Sequence, residues 1–188
     1  MSSKDEALWR RSASELAALI RSKEVSSCEV VAAHLGRIEA INGSINAVTR
    51  VLADSALAAA DAADGSEPQG PLHGVPFTIK ENIDLAGTPT TQGVPALAAA
   101  VASVDAPVVE RMKAAGAMAL ARTHLPEFRL RISTVNPLHG RTFNPWDKGR
   151  VAGGSSGCEA AALATGMSCI GLGNDIGGSL RTGCRVLW

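Results

Sequence analysis

Apolar residues in the first third of the chain recur every three or four positions, which predicts three helices. Each of the first two helices follows a serine that has a glutamate three residues later, the pattern of a capping box. The two boxes are Ser12 with Glu15 and Ser26 with Glu29. The second helix is predicted to end at Asn42-Gly43 and the third to cover residues 51–63. Residues 1–65 are therefore predicted to form a helical N-terminal segment.

Beyond residue 65, short β-like runs alternate with helical ones, and Gly- and Pro-containing turns separate them. Strands are predicted at residues 75–80, 117–121 and 168–173, and helices at residues 107–115 and 158–164. Helices that alternate with short strands in this way predict a layered α/β fold.

The composition narrows the class of protein. With 46% hydrophobic residues the chain is too apolar to be disordered. Its 18 basic and 18 acidic residues balance, so there is no electrostatic reason to expect nucleic acid or a membrane surface as a direct partner. Since aromatic residues make up only 3% and there are 19 glycines, we expect a core of small, closely packed residues.

The sequence also indicates a compartment. Residues 1–15 are charged and lack the apolar stretch of a secretory signal, and the weakly polar run at 160–173 is too short to span a bilayer. The four cysteines show no zinc-like spacing, so no metal site is expected. They are Cys28, Cys158, Cys169 and Cys184. We therefore expect a cytoplasmic protein with reduced thiols.

Gly153-Gly-Ser-Ser-Gly157 has the G-x-S-x-G form of a nucleophile elbow. An α/β-hydrolase requires an acid and then a histidine after that serine, but all four histidines of this chain precede Ser155. The chain as given therefore does not support an α/β-hydrolase. The motif alone is also compatible with a loop at a helix N-terminus that binds an anion.

Two further segments contain residues that could take part in catalysis. Ser179 follows two glycines after a predicted strand, in a turn whose N–H groups could form an oxyanion hole, or that could simply start the next helix. Lys80 ends an apolar strand, where a lysine is usually solvated. If Lys80 were buried among hydroxyls, its pKa would fall, and it could act as a general base without a histidine.

Taken together, these segments resemble the amidase signature family, because five of its motifs occur here in the family's order. The motifs are Gly74-Val-Pro-Phe-Thr-Ile-Lys80-Glu-Asn, Thr90-Thr-Gln-Gly93, Asn144-Pro-Trp-Asp147, Gly153-Gly-Ser-Ser-Gly157 and Asp175-Ile-Gly-Gly-Ser179-Leu-Arg181. The resemblance implies a layered α/β/α fold with a mixed central sheet. Residues 1–188 would be the N-terminal part of a single amidase domain, truncated, with residues 66–188 as an incomplete signature core.

The resemblance also implies the roles of the site residues. Ser179 matches the acylated nucleophile, Ser155 the bridging serine that follows a cis peptide bond, and Lys80 the base. The oxyanion hole would consist of backbone N–H groups next to the nucleophile. These belong to Ile176, Gly177, Gly178 and Ser179. This chemistry needs neither a metal nor an organic cofactor. We also expect Asp175 and Arg181 to pair and brace the loop.

Some positions depart from the family pattern. Ala152 and Cys169 lie where proline is common, and Cys158 lies where a second glycine is usual. We expect the side chain at position 158 to crowd the start of the helix behind Ser155. After Arg181 the resemblance ends.

The resemblance implies hydrolysis of a carboxylic acid amide, with a small-molecule amide as partner and a homodimer as one option for the full-length form. Two alternatives stay open. One is a truncated fragment that is catalytically inactive. The other is the glutamine-hydrolysing subunit of a tRNA-dependent amidotransferase, although that branch usually has serine and threonine where this chain has Asn174 and Ile176.

Overall fold

The computed structural model describes the backbone of residues 7–187 and the side chains up to residue 183. Its centre is a mixed four-stranded sheet. In spatial order the strands are β1 (Val48–Val51), β3 (Met118–Thr123), β2 (Pro76–Lys80) and β6 (Gly171–Leu172). β1 runs antiparallel to β3, whereas β2 runs parallel to both of its neighbours. The predicted mixed sheet is therefore confirmed.

Helices surround this sheet, and a two-stranded hairpin lies apart from it. The helices are α1 (Ala13–Arg21), α2 (Ser27–Ile45), α3 (Ala53–Asp64), α4 (Pro107–Ala114), α5 (Gly157–Ala164) and α6 (Ser179–Leu187). The hairpin pairs β4 (Val135–Asn136) with β5 (Gly140–Arg141). Three 3-10 helices are described as well, at Leu8–Arg10, Pro95–Leu97 and Glu127–Arg129. Across residues 7–187 no helix has the length and apolarity that a membrane crossing requires.

Both predicted capping boxes are present. The Ser12 hydroxyl accepts a hydrogen bond from the Glu15 N–H at 3.3 Å, and the Glu15 carboxylate accepts one from the Ser12 N–H at 2.8 Å. Ser26 and Glu29 make the same reciprocal pair at 3.0 and 2.7 Å. Local side-chain chemistry thus fixes where α1 and α2 begin.

Helices cover both faces of the sheet because side chains alternate along each strand. On one face Leu120 packs in a cluster with the small residues of α3 and α5 and the branched residues of α2. On the other face Phe77 and Ile79 pack with Val109 of α4. This is the predicted α/β/α layering, and it leaves Thr78 and Lys80 on the face opposite Phe77 and Ile79.

The predicted end of the second helix was wrong. α2 continues through Gly43 to Ile45, and the chain turns at Asn46, whose φ is 56°. The reason is the side chain of Asn42, whose Oδ1 accepts the N–H groups of Ala47 and Val48 at 3.0 and 2.9 Å. Asn42 therefore holds the chain that leaves the helix rather than ending it.

The strands also differ from the prediction. β1 interrupts the N-terminal segment that was predicted to be helical, so the third helix begins at Ala53 and not at residue 51. The strand predicted over residues 168–173 pairs only at Gly171–Leu172. Both differences arise from pairing with distant strands, which local patterns do not encode.

The fold makes a stability prediction at Leu120, which is fully buried at the centre of the sheet. Replacing Leu120 by alanine should lower the free energy of unfolding by about 2–5 kcal/mol, because it leaves a cavity among rigid neighbours. The same change at Leu57, which is 38% exposed on α3, should cost less than about 1 kcal/mol. Urea unfolding followed by circular dichroism measures both, and equal losses would contradict this placement of the core.

Candidate active site

Lys80 is fully buried at the end of β2, although a lysine at a strand end is usually solvated. Its Nζ donates hydrogen bonds to the Oγ atoms of Ser155 at 2.9 Å and Ser156 at 2.8 Å, and to Oδ1 of Asn174 at 3.0 Å. These acceptors match the three donors of an ammonium group. Burial lowers the pKa of Lys80 to about 8, because desolvation penalises its charged form.

Ser155 links Lys80 to Ser179. The Ser155 hydroxyl donates to the Oγ of Ser179 at 2.9 Å while its own oxygen accepts from Lys80. The structure thus brings the three predicted residues into one hydrogen-bonded chain, which we call the relay. The peptide bond between Gly154 and Ser155 is cis, as expected.

Close backbone packing explains the glycine before Ser155. A Cβ atom at Gly154 would lie 2.6 Å from the carbonyl carbon of Ile132 and 2.8 Å from the carbonyl oxygen of Arg131. Both contacts are with main-chain atoms, which cannot move aside as a flexible side chain can. Position 154 therefore has no room for a side chain.

Asp175 braces the loop that carries Ser179. Its carboxylate accepts the N–H groups of Gly178 at 2.5 Å and Leu180 at 3.2 Å, and Nε of Arg181 at 3.2 Å. The hydrogen bond from the Arg181 guanidinium holds the pKa of Asp175 well below its usual value. The predicted pairing of Asp175 with Arg181 is therefore confirmed.

The residues predicted to form the oxyanion hole lie in the turn between β6 and α6, immediately before Ser179. Ile176 is 75% exposed, and Gly178 has a φ of 111°. The N–H of Gly178 is engaged by Asp175, so an oxyanion would have to compete with a carboxylate for that donor. The binding role of Ile176, Gly177 and Gly178 stays a prediction.

Sequence reasoning missed three polar residues that complete the surroundings of Lys80. Ser156 and Asn174 contact its Nζ directly, and Glu159 lies buried in the first turn of α5. Ser156 was visible inside the Gly-Ser-Ser-Gly motif, whose second hydroxyl was a usable signal. Neither Asn174 nor Glu159 stands in a pattern that points to Lys80, since the fold alone brings them near it.

Cys158 follows the start of α5, where we expected crowding. It is fully buried, and its thiol lies against the carbonyl oxygen of His124. α5 begins at Gly157 all the same. Burial raises the pKa of Cys158 to about 12, so the thiol stays neutral beside the relay. Among the side chains that the structure describes, no three His, Cys, Asp or Glu residues are grouped as metal ligands would be.

Comparison with known proteins decides the family. The amidase family model matches residues 29–185, which is most of the chain. The chain belongs to the amidase family. The relay of Lys80, Ser155 and Ser179 lies inside the matched region.

Individual amidase relatives match over almost the whole chain. Indoleacetamide hydrolase of Bradyrhizobium diazoefficiens is 51% identical over 178 residues, which cover 93% of this chain and 34% of that protein. A glutamyl-tRNA(Gln) amidotransferase subunit from Acidothermus cellulolyticus is 44% identical over 183 residues, covering 95% and 36%. The solved structure of 6-aminohexanoate cyclic dimer hydrolase superposes with a TM-score of 0.90 at 35% identity, covering 97% and 37%. The chain thus spans about a third of the length of its curated relatives.

Proposed function

We propose that this amidase-family chain carries the catalytic site of an enzyme that hydrolyses carboxylic acid amides, with Ser179 as nucleophile. The observation that carries the proposal is the relay, in which Lys80 to Ser155 and Ser155 to Ser179 are each 2.9 Å apart. A serine hydroxyl is a weak nucleophile until a base takes its proton. The relay supplies that base, because the pKa of Lys80 is lowered to about 8.

The surroundings of Lys80 orient its lone pair once it is neutral. A neutral amine has two N–H donors and one acceptor site. Asn174 Oδ1 can only accept, and Ser156 donates its own hydrogen to the Asn174 carbonyl at 3.1 Å, so both take N–H groups from Lys80. The lone pair then faces Ser155. Because hydroxyls both donate and accept, the relay reverses direction, and Ser179 can donate to Ser155.

The proposed reaction proceeds in two steps. Ser179 attacks the amide carbonyl as its proton passes to Ser155 and the proton of Ser155 passes to Lys80. The oxygen that becomes negative is bound by N–H groups of the turn, the proposed role of Ile176, Gly177 and Gly178. The C–N bond then breaks as the relay returns a proton to the amine. Water, activated by the same relay, hydrolyses the ester on Ser179 and releases the acid.

Relatives suggest the first substrates to try. The relative that is 51% identical is named indoleacetamide hydrolase, so primary amides of arylacetic acids are the proposed class, with indole-3-acetamide as the first member. The match at 44% to an amidotransferase protein supports glutamine hydrolysis as a second candidate. Asn174 and Ile176 favour the first class. The two candidates are separated by measuring the rate of ammonia release from indole-3-acetamide and comparing it with the rate from glutamine.

Covalent labelling tests the nucleophile. A fluorophosphonate probe should modify the protein once, and peptide mass spectrometry should locate the adduct on Ser179. The Oγ of Ser179 is the free end of the relay, since Ser155 is hydrogen-bonded on both sides. Heat-denatured protein is the control and should not react. An adduct on Ser155 or Ser156 would refute the assignment. No adduct at any pH would support an inactive chain instead.

A further inference from the structure

The proposed reaction gives no role to the buried carboxyl group of Glu159, which lies near the relay. Glu159 lies on α5 and is 2% exposed. Its Oε1 accepts a hydrogen bond from the hydroxyl of Thr78, and its Oε2 accepts one from the hydroxyl of Thr123. Burying a carboxylate is costly unless donors compensate it, and here two strands each supply one.

Both threonines lie beside Lys80 on the sheet. Thr78 precedes Lys80 by two residues on β2, so their side chains share a face. Thr123 is the register partner of Lys80 on β3. The carboxylate of Glu159 is therefore held under the face from which Lys80 projects.

The neighbouring strand leaves room for this carboxylate. Gly171 of β6 is the register partner of Thr78, and a Cβ atom there would lie 2.6 Å from Cδ of Glu159. The site also accommodates a protonated Glu159. The acid would donate to the Thr78 hydroxyl, which in turn donates to the carbonyl of Ile170 at 3.2 Å. Glu159 can thus gain or lose a proton without leaving a buried group unpaired.

The charged groups around Glu159 come from three elements. Lys80 belongs to β2, the fully buried Arg122 belongs to β3, and Cys158 adjoins Glu159 on α5. The thiol is neutral, so Lys80 and Arg122 are the cations that act on the Glu159 carboxyl. Lys80 is also influenced by Arg129, which lowers its pKa, and by Asp175, which raises it. Burial raises the pKa of Glu159 to about 7, while the nearby hydroxyls and cations act in the opposite direction. Above a pH of about 7 the carboxylate is therefore mostly charged.

We propose that Glu159 is a positioning residue of the amidase site, whose buried carboxylate sets how readily Lys80 gives up its proton. An anion at this place favours the ammonium form of Lys80 over the free amine. Glu159 therefore raises the pH at which Lys80 loses its proton. The effect of Glu159 on catalysis rests on the proposed function. Its effect on the protonation of Lys80 does not.

A direct titration of Lys80 tests this role without relying on activity. The protein is labelled with ¹³Cε-lysine, the Lys80 signal is assigned with Lys80→Arg, and its chemical shift is followed against pH. In Glu159→Gln the midpoint for Lys80 should fall by on the order of one pH unit, because the isosteric amide carries no charge. Glu110→Gln makes the same change on the exposed surface of α4 and should leave the midpoint unchanged. An unchanged midpoint in Glu159→Gln would overturn the proposal.

A second pair of variants covers the case in which Glu159→Gln does not fold. Thr123→Val removes one donor from the carboxylate, which favours its protonated form, so the Lys80 midpoint should fall again, by a smaller amount. Thr123→Ser keeps the hydroxyl and should restore the wild-type midpoint. A Thr123→Val midpoint equal to wild type would also overturn the proposal. If Lys80 titrates as expected but the fluorophosphonate does not react with Ser179, the proposed function fails while this inference stands.

Discussion

Replacing Ser179 by alanine should abolish amide hydrolysis, lowering kcat/KM by at least about 10³-fold, because the acyl-enzyme can no longer form. Ser179 is the end of the relay, 2.9 Å from the Oγ of Ser155. Alanine removes one oxygen and leaves the helix start unstrained, so the loss should appear in kcat rather than in stability. Indole-3-acetamide turnover and the circular dichroism melt of the same preparation measure the two effects separately.

The matched control for this variant is Ser168→Ala. Ser168 is also a buried serine, but its hydroxyl donates to the carbonyl of Ile170 at 2.7 Å, outside the relay. We expect this control to keep most of the activity, at a stability cost of about 1 kcal/mol for the lost hydrogen bond. If Ser179→Ala instead retains more than a tenth of wild-type kcat, Ser179 is not the nucleophile.

The sequence predicted the members of the relay but not the environment that makes it work. Lys80, Ser155 and Ser179 stand in motifs, so their types and order pointed to a serine, a bridge and a base. The burial of Lys80 could not be deduced, since it depends on Ser156 and Asn174 meeting from two distant loops. A strand-end lysine without those acceptors would be solvated.

The same division between local and distant information holds for the fold. Capping boxes placed the starts of α1 and α2 because Ser12 and Ser26 act within three residues. The α5 prediction, residues 158–164, came within one residue of the observed helix for a similar reason, since its run of small residues is contained in a single short stretch. β1 and the short extent of β6 were missed because each strand exists only through pairing with a partner more than 65 residues away. Backbone pairing between residues so far apart in the chain leaves no periodic pattern in the local sequence from which it could be predicted.

Replacing Lys80 by methionine should lower kcat/KM by about 10²–10⁴-fold, the usual contribution of a general base. Methionine is unbranched and fills the space of the buried lysine stem, so it removes the amine with little change in packing. The variant leaves Ser155, Ser156 and Asn174 without their donor, which should cost about 1–3 kcal/mol of stability. Lys113→Met is the control. Lys113 lies on α4, which packs on the sheet face opposite Lys80, and pairs with Asp105, so it should be dispensable for turnover.

The pH dependence gives the sharper test of Lys80 as the base. Activity requires neutral Lys80, so the kcat/KM of the wild type should be low in acid and rise with one proton through a pH of about 8. In Lys80→Met this limb should vanish, leaving a flat residual rate. A limb near pH 6.5 that survives in the variant would indicate a histidine base instead. His124 does not fit that role, because burial lowers its pKa to about 4 and its ring nitrogens contact the carbonyl oxygens of Leu125 and Gly140.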